Sequence, residues 1–223
     1  MKRHPSRASA RQVALDVLLG CRRRDGFVQE ILNQHLAASS LSGADRRLAS
    51  QLAYGVLRRR ATLDALLAPF IHKPLGPGKE AVQEALRLGA FQLALLSQIP
   101  AHAAVHETVD LVPPGLKPFA NGVLRNLGRL LTTESADQPA ADTLPLESGR
   151  YRRLAKPVLP APAEHPVDYL AAAFALPRWL VRRWLERAGW DECLRRGWWF
   201  AHRRGRAPRW LGRIGSLPRP KST

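Results

Sequence analysis

The chain has 223 residues, 45% of them hydrophobic, and its 35 Lys and Arg against 18 Asp and Glu give a net charge of +17. This suits one generous domain, or a domain with an appendage, and two lone cysteines, Cys21 and Cys193, exclude a disulfide scaffold and a cysteine metal site. No run approaches the ~20 apolar residues of a membrane span. The basic start MKRHPSRASARQ lacks the apolar segment of a signal peptide, so the expectation is a cytoplasmic chain without membrane contact.

Ala14, Val17, Leu18 and Cys21 recur at i, i+3, i+4, i+7 and predict a helix over 9–22. Arg22-Arg23-Arg24-Asp25-Gly26 ends it, with cations at the negative dipole end and glycine beyond. Phe27 to Ala38 reads as a second, short helix. Ser42 can cap a third, whose stripe is Leu48, Leu52, Gly55 and Val56. Leu63, Leu66, Leu67 and Phe70 continue in a new phase, which predicts a break near Arg60. Pro74-Leu75-Gly76-Pro77-Gly78 is a loop. A long helix over 79–97 carries one stripe through Val82, Leu86, Gly89 and Leu93 and a second through Leu88, Phe91 and Leu95, the pattern of a central helix. Val105, Thr108, Val109 and Val112 mark a short helix that Pro113-Pro114 ends, and Phe119, Val123, Leu127 and Leu130 mark another over 116–131.

Residues 132–165 change to Pro, Ala and acidic residues and read as a linker. Helical pattern returns over 166–196, with one helix over Val167–Phe174 and another over Pro177–Ala188. Residues 197–223 lose periodicity and read as a basic, irregular tail, in which Trp198, Trp199 and Trp210 have no evident core to enter. No alternating strand pattern is evident, so the predicted fold class is all-α.

The charge is uneven. Residues 1–131 carry +9, 132–150 carry −3 and 151–223 carry +11. Basic excess fits a polyanionic partner, because phosphate contacts release counterions. Arginine codon preference in a GC-rich genome would give the same excess.

Three segments go beyond generic helix: LASQLAYGVLRRRATLDALLAPFI (48–71), EALRLGAFQLALLSQIPAHAAVHETVDLV (84–112) and FANGVLRNL (119–127). In this order they resemble the NusB-like RNA-binding fold, a bundle of two packed three-helix sub-bundles. They are most similar to the N-terminal domain of the RsmB (Sun) family, which methylates cytosine C5 in small-subunit ribosomal RNA. The resemblance covers 8–131 and continues more faintly through ALPRWLVRRWLERAGWDECLRR (175–196), where Ala175 stands at a position the family fills with serine. It implies a domain over 1–131, the linker, a segment like the start of the methyltransferase region, and the tail.

The family's catalytic domain carries a Gly-rich loop for S-adenosylmethionine and two active-site cysteines, one after a proline. Neither motif occurs here, so no cofactor is expected for this chain and no catalysis by it alone. The expectation is a chain that stops before its catalytic domain, through truncation or frameshift. The alternative is an antitermination factor of the NusB type that binds RNA jointly with a ribosomal protein. A protein-interaction module is a third reading, and self-association is left open.

RNA contact needs cations for phosphates and flat side chains for unpaired bases. The resemblance points to the arginine-rich start of the first helix: Lys2, Arg3, Arg7 and Arg11. Arg46 and Arg47 on the third helix, and Lys117 and Arg125 on the last, are further candidates, with Arg129 beside them. Phe91 and Phe119 match aromatic positions implicated in RNA contact in the antitermination relatives, whereas Leu19 replaces a third. Arg22–Arg24 and Arg58–Arg60 read as solvated runs. His102, His106 and Glu107 have a spacing that metal sites use, but the helix start explains them.

Overall fold

The computed structural model describes residues 9–23, 27–147 and 149–202, with Glu147 and His202 described by backbone alone. Seven helices come first: α1 (Ala10–Arg23), α2 (Val28–Ala37), α3 (Gly43–Arg58), α4 (Arg60–Leu67), α5 (Glu80–Leu95), α6 (Ala101–Val109) and α7 (Lys117–Leu130). The Ser42 hydroxyl accepts from the Asp45 amide at 3.2 Å and starts α3. The predicted break falls at Arg59, whose ψ of 16° closes α3 and opens α4.

Helices α1, α2 and α3 pack together, as do α5, α6 and α7, and α5 joins the two groups by also touching α1, α3 and α4. The long helix is therefore central, as its two stripes imply. Close approach needs small residues on it and against it: a β-carbon on Gly89 would lie 2.8 Å from Leu124 Cδ2 of α7. One continuous apolar core runs from Leu18 and Leu32 through Leu52, Leu63 and Leu86 to Leu124 and Leu127.

The all-helical expectation gives way at residue 131. Three antiparallel strands, β1 (Leu131–Ala136), β2 (Thr143–Glu147) and β3 (Arg150–Leu154), form a sheet in the order β1-β3-β2. The segment that composition marked as linker thus contains paired strands. Alternation sends its side chains to two different cores. Leu144 and Leu154 join the helical core, while Tyr151 and Ala136 join a second one. Pro145 sits on the edge strand, where its missing N–H removes little. Backbone polar groups also tie the layers: Arg152 donates to the Ala94 carbonyl at 3.1 Å, and Arg59 donates to the Pro145 carbonyl at 3.0 Å.

The second core is built by α8 (Pro166–Phe174) and α9 (Arg178–His202). Between them Ala175 takes a left-handed conformation with φ 53°. Helix α9 is interrupted at Gly189, at φ 76°, close to the predicted end, and then resumes to His202. Residues 197–202, expected to be irregular, are thus helical, and the rest of the expected tail lies outside the described residues. Trp198 has a core to enter: its ring meets Tyr151 at 5.3 Å and Phe174 at 5.2 Å, both edge-on. Trp199 is 52% exposed, and Trp210 lies outside the described residues.

Candidate nucleic-acid interface

The predicted contact residues separate into three groups by their surroundings. The first gathers around the start of α1. Arg11 Nε donates to Oε1 of Gln92 at 2.7 Å, and its Nη1 lies 3.7 Å from Glu107 of α6. Just past the end of α6, Asp110 accepts from Lys117 Nζ at 2.7 Å. That bond, first among the causes, holds the Asp110 carboxyl below its usual pKa. Ala10 and Val13 pack against Ala49 of α3, so Arg46 and Arg47, one turn earlier, stand at the same end. Arg47 is exposed and Arg46 half-buried. Lys2, Arg3 and Arg7 lie outside the described residues.

The second group lies further along α7. Arg125 is exposed there, and Phe119 is half-buried against the helical core. Arg125 and Arg129 edge a groove between α6 and α7 of about 650 Å³. Sequence reading did not find this groove. Nothing local in the sequence marks it, because Gly128, which lines it, and Gly122, which does not, have equally open surroundings.

The third group faces inward. Phe91, a candidate RNA contact by resemblance, is only 7% exposed and covers Gly55 of α3. Its stripe faces a neighbouring helix, because α5 has partners on several sides. Arg22, Arg60 and Arg87 all donate to one oxygen of the buried Glu84 carboxylate. Arg87 also makes a bidentate pair with Asp64 at 2.7 Å. Arg59 is buried, and burial lowers its pKa to about 10. Arg22, Arg59 and Arg60, read as solvated, therefore hold the fold together.

No cluster of three or more His, Cys, Asp or Glu could hold a metal ion among the described residues. Burial, first among the causes, pushes the Cys21 thiol up to about 11, with Arg60 opposing and Glu84 adding. Burial raises the Cys193 thiol as well. Both are poor nucleophiles near neutrality. Among the described residues no helix is long and apolar enough to cross a membrane.

Residues 8–129 match the NusB family over its helical bundle. The chain belongs to the NusB family. Over most of its length the chain is similar to a probable ribosomal RNA small subunit methyltransferase B of Bacillus subtilis. The two are 30% identical over 189 residues, which cover 83% of this chain and 36% of the relative. The Synechocystis protein of the same description is 38% identical over 125 residues, 54% of this chain and 28% of that one. A putative methyltransferase of Mycobacterium tuberculosis is 28% identical over 185 residues, 81% and 36% of the two chains. Thus the NusB-family chain spans about a third of the length of relatives that it matches along most of its own.

Proposed function

We propose that this chain is a NusB-type module that binds ribosomal RNA through the end of the bundle where α1 begins, and that its 223 residues transfer no methyl group unaided. One observation carries the reading. Arg46 and Arg47 of α3 and Lys117 of α7 stand at the end to which the basic segment Lys2–Arg7 is joined, where Arg11 ties α1 to α5 and α6. Cations from separated elements converging on one surface are the footprint expected for a phosphate backbone. The relatives' description as ribosomal RNA methyltransferases supplies the RNA class.

The test is fluorescence anisotropy of the full chain with a labelled fragment of small-subunit ribosomal RNA, over a salt series. Affinity is expected to fall linearly with salt on logarithmic axes. Replacing Lys2, Arg3 and Arg7 together by alanine is expected to reduce that slope by about 3. Absence of binding at low salt overturns the reading. Incorporation of label from S-adenosylmethionine into the RNA by the purified chain overturns its second half.

A further inference from the structure

We infer that the groove between α6 and α7 receives one unpaired nucleotide of the bound RNA. This rests on the reading of the chain as an RNA-binding module, and it assigns a pocket that adjoins the cations around the start of α1 at the Asp110–Lys117 pair.

The groove has the size and the chemistry for such an occupant. Its volume of about 650 Å³ lies within the roughly 300–1,000 Å³ of small-ligand pockets. Leu93, Val105 and Val109 give it apolar surface, which suits the flat face of a base. His102 and His106 stand one turn apart on α6 at its edge, and both are exposed. Arg125 and Arg129 stand one turn apart on α7. Imidazole and guanidinium planes are the groups on which unstacked bases are held, and guanidinium also takes phosphate. Asn121, one turn before Arg125, offers a carboxamide that can both donate to and accept from a base edge.

Charge favours a nucleotide over a protein segment. The groove's one carboxylate, Asp110, is already bonded to Lys117 at 2.7 Å and lies 3.7 Å from His106. Among the described residues no carboxylate pairs with Arg125 or Arg129, and Arg129 makes one long bond, 3.4 Å, to Asn126. The α7 side of the groove therefore presents two uncompensated positive charges beside an apolar floor. A helix seated there would have to bring acids of its own, whereas every nucleotide brings a phosphate.

Gly128 makes the inference testable without damage to the core. It lines the groove, and a β-carbon there meets nothing within 4 Å. Leucine also favours a helix over glycine, so Gly128→Leu fills the groove while α7 is kept. The full chain and this variant are titrated by anisotropy against a labelled single-stranded fragment of small-subunit ribosomal RNA and against the same fragment annealed to its complement. Gly128→Leu is expected to weaken single-strand binding about tenfold, to leave duplex binding unchanged and to leave the thermal midpoint no lower. Asn121→Ala is expected to flatten the ranking among uridine, cytidine and adenosine homopolymers. If Gly128→Leu binds the single strand as tightly as the unaltered chain, or weakens both strands equally, the nucleotide pocket is wrong while RNA binding stands. The first of these results leaves the groove to a protein helix. If the unaltered chain binds neither strand at low salt, the pocket and the RNA-binding reading fall together.

Discussion

The Phe91 ring lies directly over Gly55: a β-carbon at residue 55 would sit 2.0 Å from Phe91 Cζ. The ring fills the space between α3 and α5 at this point. Gly55→Ala is therefore expected to cost about 1–3 kcal/mol by overpacking, and Phe91→Ala about 3–5 kcal/mol by leaving a cavity. Urea denaturation checks both. A Phe91→Ala chain of unaltered stability but weakened RNA binding would show that the ring serves the ligand instead.

Arg11 and Arg47 are the same residue type at the same end of the molecule, yet they are expected to behave differently. The Arg11 side chain is 14% exposed and holds Gln92. Gln92 is itself buried and donates to the Leu88 carbonyl and the Thr108 hydroxyl. Arg11→Ala leaves the Gln92 oxygen without its donor, a loss of about 1–3 kcal/mol. Arg47→Ala is expected to shift stability by no more than about 0.5 kcal/mol and to lower the salt slope of RNA binding by about 1. Paired denaturation and anisotropy measurements separate the two. Equal stability losses would refute the distinction.

Glu84 is the shared acceptor of Arg22, Arg60 and Arg87. Glu84→Ala removes the carboxylate shared by three guanidinium groups, of which, among the described residues, Arg87 alone keeps another carboxylate partner in Asp64, and is expected to cost about 3–5 kcal/mol. Arg22→Ala should cost much less, because its side chain is one-third exposed and two arginines remain on the carboxylate. A Glu84→Ala loss no larger than that of Arg22→Ala would mean that the cluster contributes nothing specific.

Cys21 gives an alkaline signature. Its pKa rises from 9.0 to about 11 on folding, chiefly through burial. The folded state thus holds the thiol proton more tightly than the unfolded chain. The associated stability is fully present below about pH 9 and is lost as pH rises through about 11. Cys21→Ser has no such titration. The stability difference between the unaltered chain and Cys21→Ser should therefore narrow between these two pH values, measured by denaturation at matched ionic strength. A constant difference would place Cys21 in contact with solvent.

The helices were legible because their burial is one-sided and regular, as in the Leu48, Leu52 and Val56 stripe, and because Ser42 marks a start through chemistry that acts locally. The strands were not legible. RYRRL shows two apolar positions, and these serve different cores, so no single hydrophobic face exists to be seen. Trp198 was misread for the same reason: its partners Tyr151 and Phe174 come from 47 and 24 positions earlier in the chain. For the candidate site, sequence supplied the cations but not their employment. Nothing local distinguishes Arg60, bound to Glu84 from α5, from Arg47, which faces solvent.

The sheet that faces two cores has a consequence for where this protein can be divided. Similarity to the NusB family ends at residue 129, and α7 ends one residue later. Leu144 and Leu154 nevertheless complete the helical core from beyond that boundary, while Tyr151, on the opposite face, is locked beneath Trp198. The boundary of the family match thus falls inside the packed unit, and the similarity to the methyltransferase relatives runs past it. A fragment trimmed at the family boundary would keep the recognisable helices but bare the apolar ground on which the strands rest. It would gain a sticky surface that the intact chain never presents.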